Sequence, residues 1–182
     1  DGLEKLKAVP VDIVVSDAAG CSAHLKEYGH WAGDGGREFA AKARDVTEVV
    51  AEAISTGRLP RLPANGRAVA VQDPCHLRHA QRIIDPPRLI LEAAGFRVVE
   101  IDPDGLCCGA GGAWSLFWPA ESAELGRRKA AQVESTGLQL VASANPGCEI
   151  QLRSHLPRGD RVAHPVELYA EALAAAEPEG GV

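Results

Sequence analysis

The sequence predicts an α/β fold of layered units with mostly parallel sheets, since short apolar runs alternate with helical segments along the 182 residues. Residues 11–16 are mostly β-branched and apolar, as in a buried parallel strand. Segments with strand character lead into loops that contain glycine, proline or cysteine, and helical patterning follows. A chain of this length accommodates one ordinary domain or two small ones.

The first 57 residues are predicted to contain one strand and three helices. Glycines at 33–36 break the helical pattern, since glycine disfavours helix interiors. Pro60 and Pro63, between glycines at 57 and 66, predict a linker over residues 58–66. In chain order the predicted elements are a strand at 11–16, a loop at 17–21, and helices at 22–30, 37–43 and 46–55.

A second series of strands and helices is predicted from residue 67 onward. The last helix begins with Pro165, and proline is tolerated there because the first helical turn does not need its amide hydrogen. The tail at 177–182, rich in Ala, Glu, Pro and Gly, is predicted to be frayed. The predicted elements are strands at 67–72, 97–101, 138–143 and 161–163, and helices at 87–94, 121–135, 149–156 and 165–176.

An internal repeat divides the chain into two units. Residues 11–21 align with residues 138–148, with valine, serine, glycine and cysteine at matching positions. We therefore expect residues 1–57 to be the closing part of a first unit and residues 67–176 to be a complete second unit. The chain has no methionine and begins with Asp1, which also indicates a fragment of a longer protein or a processed chain.

Charge and composition exclude several classes of function. The net charge is −6, basic residues form no stripe, and the chain has only three tryptophans, two tyrosines and three phenylalanines, which argues against nucleic-acid binding. No segment has the length and apolarity of a membrane span, and we find no signal peptide. The five cysteines are an odd number in a chain too large to need disulfides, so we expect a reducing, cytoplasmic compartment and metal ligation.

Four cysteines, Cys75, Cys107, Cys108 and Cys148, follow predicted strands directly or after a short loop. The carboxyl ends of parallel strands meet at one edge of a sheet, so three loops would bring four thiolates to one place. Such a set suits an iron–sulfur cluster or zinc, and the residues alone do not decide between them. The alternative is that these cysteines are buried and chemically inert. For Cys21 alone, an inert cysteine and a metal ligand are equally compatible with the sequence.

Three motifs contain these cysteines: Asp73-Pro74-Cys75-His76, Cys107-Cys108-Gly109 and Asn145-Pro146-Gly147-Cys148. They resemble the cysteine-rich CCG domain, which occurs, often in tandem, in iron–sulfur subunits of oxidoreductases. The resemblance extends over residues 11–172 and is greatest to the C-terminal part of glycolate oxidase iron–sulfur subunits. It implies that the chain is the C-terminal portion of a tandem CCG-domain repeat.

The resemblance implies an electron-transfer subunit that does not itself bind substrate. Cys75, Cys107, Cys108 and Cys148 would hold a [4Fe–4S] cluster. Electrons would pass from a flavin-containing dehydrogenase subunit, which oxidises a 2-hydroxy acid such as glycolate or lactate, toward a membrane acceptor. The protein would then lie in the cytoplasm, held at the inner face of the membrane through its partners. Two alternatives use the same cysteines: a zinc-stabilised interaction module, and thiol redox chemistry like that of heterodisulfide reductase.

The chain departs from the family pattern at Gln151, where many members have a further cysteine, and His24 holds the corresponding position after Cys21. The missing cysteine argues against non-cubane clusters and disulfide chemistry, while four thiolates still suffice for a [4Fe–4S] cluster. His76 and His79 are further candidates, either as hydrogen-bond partners or ligands of a cluster or as structural residues at a helix start.

Two other groups of residues receive structural interpretations. Trp114, Phe117 and Trp118 follow the cysteine pair, and we expect at least two of them to pack in the core. The charged residues at 121–129 form opposite-charge pairs at helical spacing, which predicts a solvent-exposed helix face that includes Lys129.

Overall fold

The computed structural model describes residues 11–176, so the predicted tail at 177–182 lies outside the described residues. In the described part, strands and helices alternate and the strands form two parallel sheets, which confirms the predicted α/β class. The strands are β1 (Val14–Ser16), β2 (Ala43–Asp45), β3 (Ala68–Gln72), β4 (Arg97–Glu100), β5 (Leu140–Ser143) and β6 (Arg161–Ala163). The helices are α1 (Ala19–Lys26), α2 (Tyr28–Trp31), α3 (Gly33–Lys42), α4 (Val46–Ser55), α5 (Asp85–Ala93), α6 (Trp114–Phe117), α7 (Pro119–Glu134), α8 (Pro146–His155) and α9 (Pro165–Ala176), with a π-helical turn at His76–Ala80.

The main sheet has four parallel strands in the order β4-β3-β5-β6. β3 is central, and its Ala70 is in register with Val99 of β4 on one side and Val141 of β5 on the other. After β3 the chain turns to one side of the sheet to form β4, whereas after β5 it turns to the other side to form β6. The loops that leave β3 and β5 therefore diverge, and such a switch point opens a crevice at the carboxyl ends of the strands.

Side chains that alternate along the central strands form a core on each face of the main sheet. On one face, Val69 and Val71 pack with residues of α4, α5 and α9, including Ile54, Ile90 and Leu168. Each fully buried aliphatic side chain of this kind contributes about 1.5–3 kcal/mol to folding. On the other face, β3 and β5 pack against α7 and α8 through Ala70, Val141, Ala130, Val133 and Leu152.

β1 and β2 form a separate two-stranded parallel sheet in which Val14 is in register with Ala43. The helix after β1 packs against loops of the main sheet, because the Ala19 amide donates to the Ala144 carbonyl at 3.3 Å. The Gln81 side chain donates to the Ala19 carbonyl at 3.0 Å. The start of α1 therefore lies beside the loop that leaves β5.

The segment 58–66 contains no helix or strand, and its role as a linker between two units stays a prediction. It is fastened to the main sheet and its helices, since the Tyr169 hydroxyl donates to the Pro60 carbonyl at 2.6 Å and the Leu62 amide to the Ala93 carbonyl at 2.7 Å. The boundaries of the two units on either side of this segment stay predictions. Among the described residues, none of the helices combines the length and apolarity that crossing a bilayer requires.

The first predicted strand and the helix that precedes β2 differ from the structure. The strand predicted as buried at 11–16 is formed only at Val14–Ser16, and Val15 is 43% exposed because a two-stranded sheet covers little of its side-chain surface. The helix predicted at 37–43 ends at Lys42, because Ala43 is already extended and pairs with β1.

The glycines at 33–36 do not themselves form the helical break that the sequence predicted. The break lies one residue earlier, at Ala32, and the glycines begin α3. Gly33 has φ +59, a left-handed conformation that favours glycine. Any side chain at Gly36 would clash with the Tyr28 carbonyl of α2, so these glycines permit a close reversal between two short helices.

Candidate functional site

A cavity of about 590 Å³ lies at the carboxyl ends of the main-sheet strands, and cysteine side chains form part of its wall. Cys75 follows β3, Cys107 and Cys108 lie in the loop after β4, and Cys148 lies in the first turn of α8 after β5. Cys108 and Cys148 are buried, whereas Cys75 and Cys107 are half-buried. The structure thus brings all four candidate ligands to one cavity, and their role as ligands stays a prediction.

The loop that carries Cys75 is held by the buried carboxylate of Asp73. Asp73 accepts hydrogen bonds from the Arg78 guanidinium at 2.6 Å and from two nitrogens of Arg88 at 3.0 and 2.9 Å. Arg78 also donates to the Pro103 carbonyl in the loop after β4. Because charge-assisted hydrogen bonds are the strong ones, this cluster fixes two cysteine-bearing loops relative to each other.

The loop that carries Cys107 and Cys108 turns at Gly109, which has φ +86. A Cβ atom at Gly109 would lie 2.5 Å from the Ser122 carbonyl oxygen, so only glycine allows this approach to α7. The Ser122 hydroxyl donates to the Gly109 carbonyl at 2.8 Å, and the Gln151 amide donates to the Ser122 carbonyl at 2.9 Å. Gln151 therefore braces this loop through Ser122.

A buried ion pair between Lys129 and Asp102 holds the start of the loop that carries Cys107 and Cys108. The Lys129 ammonium of α7 donates to the Asp102 carboxylate, which also accepts hydrogen bonds from the Leu106 and Asp104 amides. Burial acts to raise the pKa of Asp102, but the hydrogen bond and positive charge of Lys129 hold that pKa below its usual value. The carboxylate is thus ionised and fixes the chain between β4 and the cysteine pair.

Cys148 is the third residue of α8, where free backbone amides and the helix dipole favour a thiolate. The Asn145 side-chain nitrogen donates to the Cys148 sulfur at 3.5 Å. The side-chain oxygen of Asn145 accepts from the Gly20 amide of α1 at 3.2 Å. One amide side chain therefore joins α1 to the loop that positions Cys148.

The sulfurs contact one another across the cavity, and the contacts divide them into two kinds. The Cys108 thiol donates to the Cys148 sulfur at 3.0 Å, and this bond lowers the pKa of Cys148. The neighbouring Cys108 and Cys75 thiols and the hydrogen bond from the Gly109 amide lower the pKa of Cys107 to about 2. The donors Cys75 and Cys108 have raised pKa values, chiefly because each is hydrogen-bonded to Cys107. These contacts favour the thiolate form at Cys107 and Cys148 and the thiol form at Cys75 and Cys108.

The donor set fits a soft inorganic cofactor. Four cysteine sulfurs on one cavity wall are the ligands that iron–sulfur clusters and zinc both prefer. Within residues 11–176, no three Cys, His, Asp or Glu side chains are gathered around one point as a single bound ion requires. The sulfurs instead contact one another in pairs along the wall.

The remaining candidate residues have different surroundings. Cys21 is exposed and lines the same cavity, so its metal-binding role stays a prediction. The His76 ring nitrogen lies 3.5 Å from the Cys75 sulfur, which places it at the cavity. His79 instead contacts the Gly105 carbonyl at 3.1 Å, and His24 packs edge-on against the ring of Tyr28.

The expectation that at least two of Trp114, Phe117 and Trp118 pack in the core is wrong. Their exposed fractions are 37%, 76% and 54%, and Leu116 between them is 80% exposed. They belong to α6 and its end, a short helix without buried residues that the sequence did not predict and that follows the glycine-rich loop. Trp114 contacts the backbone at Gly111, which lines the cavity.

Two side-chain clusters at the site were not identified from the sequence. Lys129 was assigned to a solvent-exposed helix face, but it is fully buried, because its partner Asp102 lies beneath the cysteine loop. The charge pattern of α7 gives no signal for this, since Arg127 and Arg128 beside it are exposed. The sequence gives only a weak indication of the cluster at Asp73, namely an acidic residue directly before the Pro74-Cys75 pair.

The chain is similar to known iron–sulfur proteins over most of its length. Residues 69–153 match the family model of the cysteine-rich domain, CCG. The chain is 30% identical over 168 residues to the glycolate oxidase iron–sulfur subunit of Escherichia coli (strain K12), a match that covers 89% of this chain and 40% of that protein. It is 29% identical over 178 residues to the probable glycolate oxidase iron–sulfur subunit of Bacillus subtilis (strain 168), covering 91% of this chain and 40% of that protein.

A third relative has a different name. The chain is 27% identical over 178 residues to one of the subunits of the dihydromethanophenazine:CoB–CoM heterodisulfide reductase of Methanosarcina acetivorans, covering 94% of this chain and 43% of that protein. The chain thus spans less than half the length of each of these three relatives. All three are components of oxidoreductases by name.

Proposed function

The chain belongs to the cysteine-rich CCG domain family, whose model matches residues 69–153, and we propose that it holds a [4Fe–4S] cluster for electron transfer. Its relatives are iron–sulfur subunits of oxidoreductases, which supports an iron–sulfur electron-transfer role. The cluster is held by Cys75, Cys107, Cys108 and Cys148. Bound there, it supplies a one-electron redox centre.

One observation carries this proposal: four cysteine sulfurs from three loops line a single cavity at the switch point of the main sheet. The same cavity wall includes the flexible glycines Gly111, Gly112 and Gly147, whose backbones can approach a bound group closely. The Gly109 amide already donates to the Cys107 sulfur at 3.4 Å, the kind of contact that tunes the potential of a cluster.

We further propose that the electrons come from a flavin-containing subunit that oxidises a 2-hydroxy acid of the glycolate or lactate type, and pass on toward a membrane acceptor. The names of the two glycolate oxidase relatives support this substrate class. Cys75 and Cys107 are half-buried rather than buried, so a partner subunit can approach the cavity from their side.

Metal and sulfide analysis of anaerobically purified protein tests the cluster. We expect about four irons and four sulfides per chain, a broad visible absorption band, and an EPR signal on reduction with dithionite. Serine at Cys75, Cys107, Cys108 or Cys148 should remove the iron, whereas serine at the exposed Cys21 should not.

Two outcomes would replace this proposal with the alternatives. Stoichiometric zinc without iron would indicate a zinc-stabilised interaction module on the same thiolates. A metal-free protein with a reversible Cys108–Cys148 disulfide would indicate thiol redox chemistry, for which the 3.0 Å contact between these sulfurs is the favouring observation.

A further inference from the structure

We propose that an aromatic hook, formed by residues 114–118, inserts into the interfacial layer of a lipid bilayer and docks the protein on a membrane directly. The hook comprises α6 and Trp118, the residue that ends this helix. None of its residues is a candidate ligand of the cluster, and the proposal does not depend on the bound cofactor.

The first step is the exposure of the apolar side chains of the hook. Leu116, Phe117 and Trp118 are each more than half exposed, and no residue of α6 is buried. The preference of such side chains for apolar surroundings is therefore unmet within the described residues. An exposed apolar patch of this kind marks a site that binds another protein or a membrane.

The second step is that the hook satisfies its own backbone amides. All five amides of residues 114–118 donate to carbonyls within residues 111–114, including the bond from Trp118 to Trp114 at 2.9 Å. The Ser115 hydroxyl, the only hydroxyl of the hook, donates to the Gly112 carbonyl at 2.8 Å. Such a segment can enter an apolar layer without leaving backbone amides unpaired, which is the requirement that lipid imposes.

The third step is the charge pattern around the hook. Residues 105–120 contain no Asp, Glu, Lys or Arg, in a chain that is 24% charged. The residues that flank this stretch, Asp104 and Glu121, are acidic, and the net charge of the chain is −6. An uncharged hook between carboxylates matches a zwitterionic lipid surface and disfavours an anionic one. Tryptophan suits this layer, because its ring is apolar while its N–H stays at the hydrated headgroups.

The fourth step is the area of the hook, which favours a bilayer over a protein partner. At ~150–250 Å² for a whole aromatic side chain, the exposed fractions of Trp114, Phe117 and Trp118 amount to roughly 250–420 Å². A stable protein interface needs about 800 Å² from each partner, which the addition of Leu116 does not reach. A lipid layer needs no complementary surface, so a few inserted side chains suffice for weak, reversible binding.

The test is binding of the purified protein to phosphatidylcholine vesicles, measured by co-sedimentation and by tryptophan emission. It compares Leu116→Ser/Phe117→Ser with the matched control Trp31→Ser, since Trp31 is 73% exposed and lies outside the hook. The control also leaves Trp114 and Trp118 as the only tryptophans, so its emission reports the hook alone. None of the replaced side chains is buried, and far-UV circular dichroism checks that the variants are folded.

We expect the wild type and Trp31→Ser to bind with partition coefficients that differ less than twofold, and the emission of Trp31→Ser to shift to shorter wavelength. The double variant should lower the partition coefficient at least about tenfold, because burying a Leu or Phe side chain contributes roughly a factor of ten or more. Its iron content should equal that of the wild type, so loss of membrane binding stays distinct from loss of the cluster.

Absence of wild-type binding at millimolar lipid, or equal binding of the wild type and the double variant, would overturn the proposal. Binding that requires anionic lipid and disappears in high salt would also overturn it, since this is electrostatic adsorption without insertion. A dimer in sedimentation that the double variant abolishes, without vesicle binding, would assign the hook to an interface between two copies of the chain.

Discussion

Replacing Asp73 by asparagine should destabilise the protein strongly, because this carboxylate is the junction of the loops that carry the cysteines. It is 2% exposed at the side chain and accepts three hydrogen bonds from Arg78 and Arg88. Removing one partner of a buried ion pair typically costs about 3–5 kcal/mol. Both arginines keep another acceptor, Glu100 for Arg88 and the Pro103 carbonyl for Arg78, so we expect the lower end, about 3 kcal/mol.

Glu100→Gln is the matched control, since it removes the other carboxylate partner of Arg88. Glu100 is 45% exposed at the side chain, and an ion pair at the surface is worth about 0–1 kcal/mol. The assay is urea unfolding of the reduced, metal-free protein, followed by far-UV circular dichroism, with thermal unfolding as a second measure. A loss of 3 kcal/mol corresponds to a fall in Tm of about 6–12 °C for a chain of this size.

Equal and small losses in Asp73→Asn and Glu100→Gln would refute the reasoning, since they would mean that the buried carboxylate adds nothing beyond a surface ion pair. A large loss confined to Asp73→Asn, with iron retention reduced in the same variant, would support it.

Three further predictions concern the loop glycines, the thiols and the segment 58–66. Gly109→Ala should lose iron and about 2 kcal/mol or more of stability, because Gly109 has a positive φ and the Ser122 carbonyl oxygen would lie 2.5 Å from the new Cβ. The control Gly112→Ala should lose only about 1 kcal/mol, since Gly112 also has a positive φ but has open space around it. In metal-free protein at pH 6, iodoacetamide should alkylate Cys107 before Cys75, because the lowered pKa of Cys107 favours its thiolate and the raised pKa of Cys75 favours its thiol. The order of alkylation is read by mass spectrometry, and the reverse order would contradict the prediction. Tyr169→Phe should cost about 1 kcal/mol in urea unfolding, because the lost hydroxyl donates to the Pro60 carbonyl of the segment 58–66.

The main sheet and the meeting of the cysteines follow from local patterns in the sequence. β3 and β5 are short apolar runs whose exits contain the Cys75 and Cys148 motifs, and parallel strands place such exits on one edge. The elements that were not predicted depend on partners distant in sequence. β2 is Ala-Arg-Asp, without β-branched residues, and it is a strand only because it pairs with Val14–Ser16.

The burial of Lys129 was not predictable for the same reason. Periodicity assigns a residue to a face of α7, but it does not show that an acidic residue 27 positions earlier lies against that face. The exposed α6 is a second case. Its aromatic residues have core character, yet none of its residues is buried, and the glycines before it have positive φ values that the hydrophobic pattern does not reveal.

The cavity is shaped by side chains that are not cysteines. Asp73 holds the loop after β3, the Ser122 hydroxyl holds the loop after β4, and Asn145 holds the loop after β5. Each of these contacts crosses to a different element, so the three cysteine-bearing loops are positioned by the packing of the domain. In small zinc domains, by contrast, the metal itself drives folding. A site formed in this way can keep its ligands in place while the charge of the bound group changes, which is the condition that repeated one-electron transfer imposes on a protein.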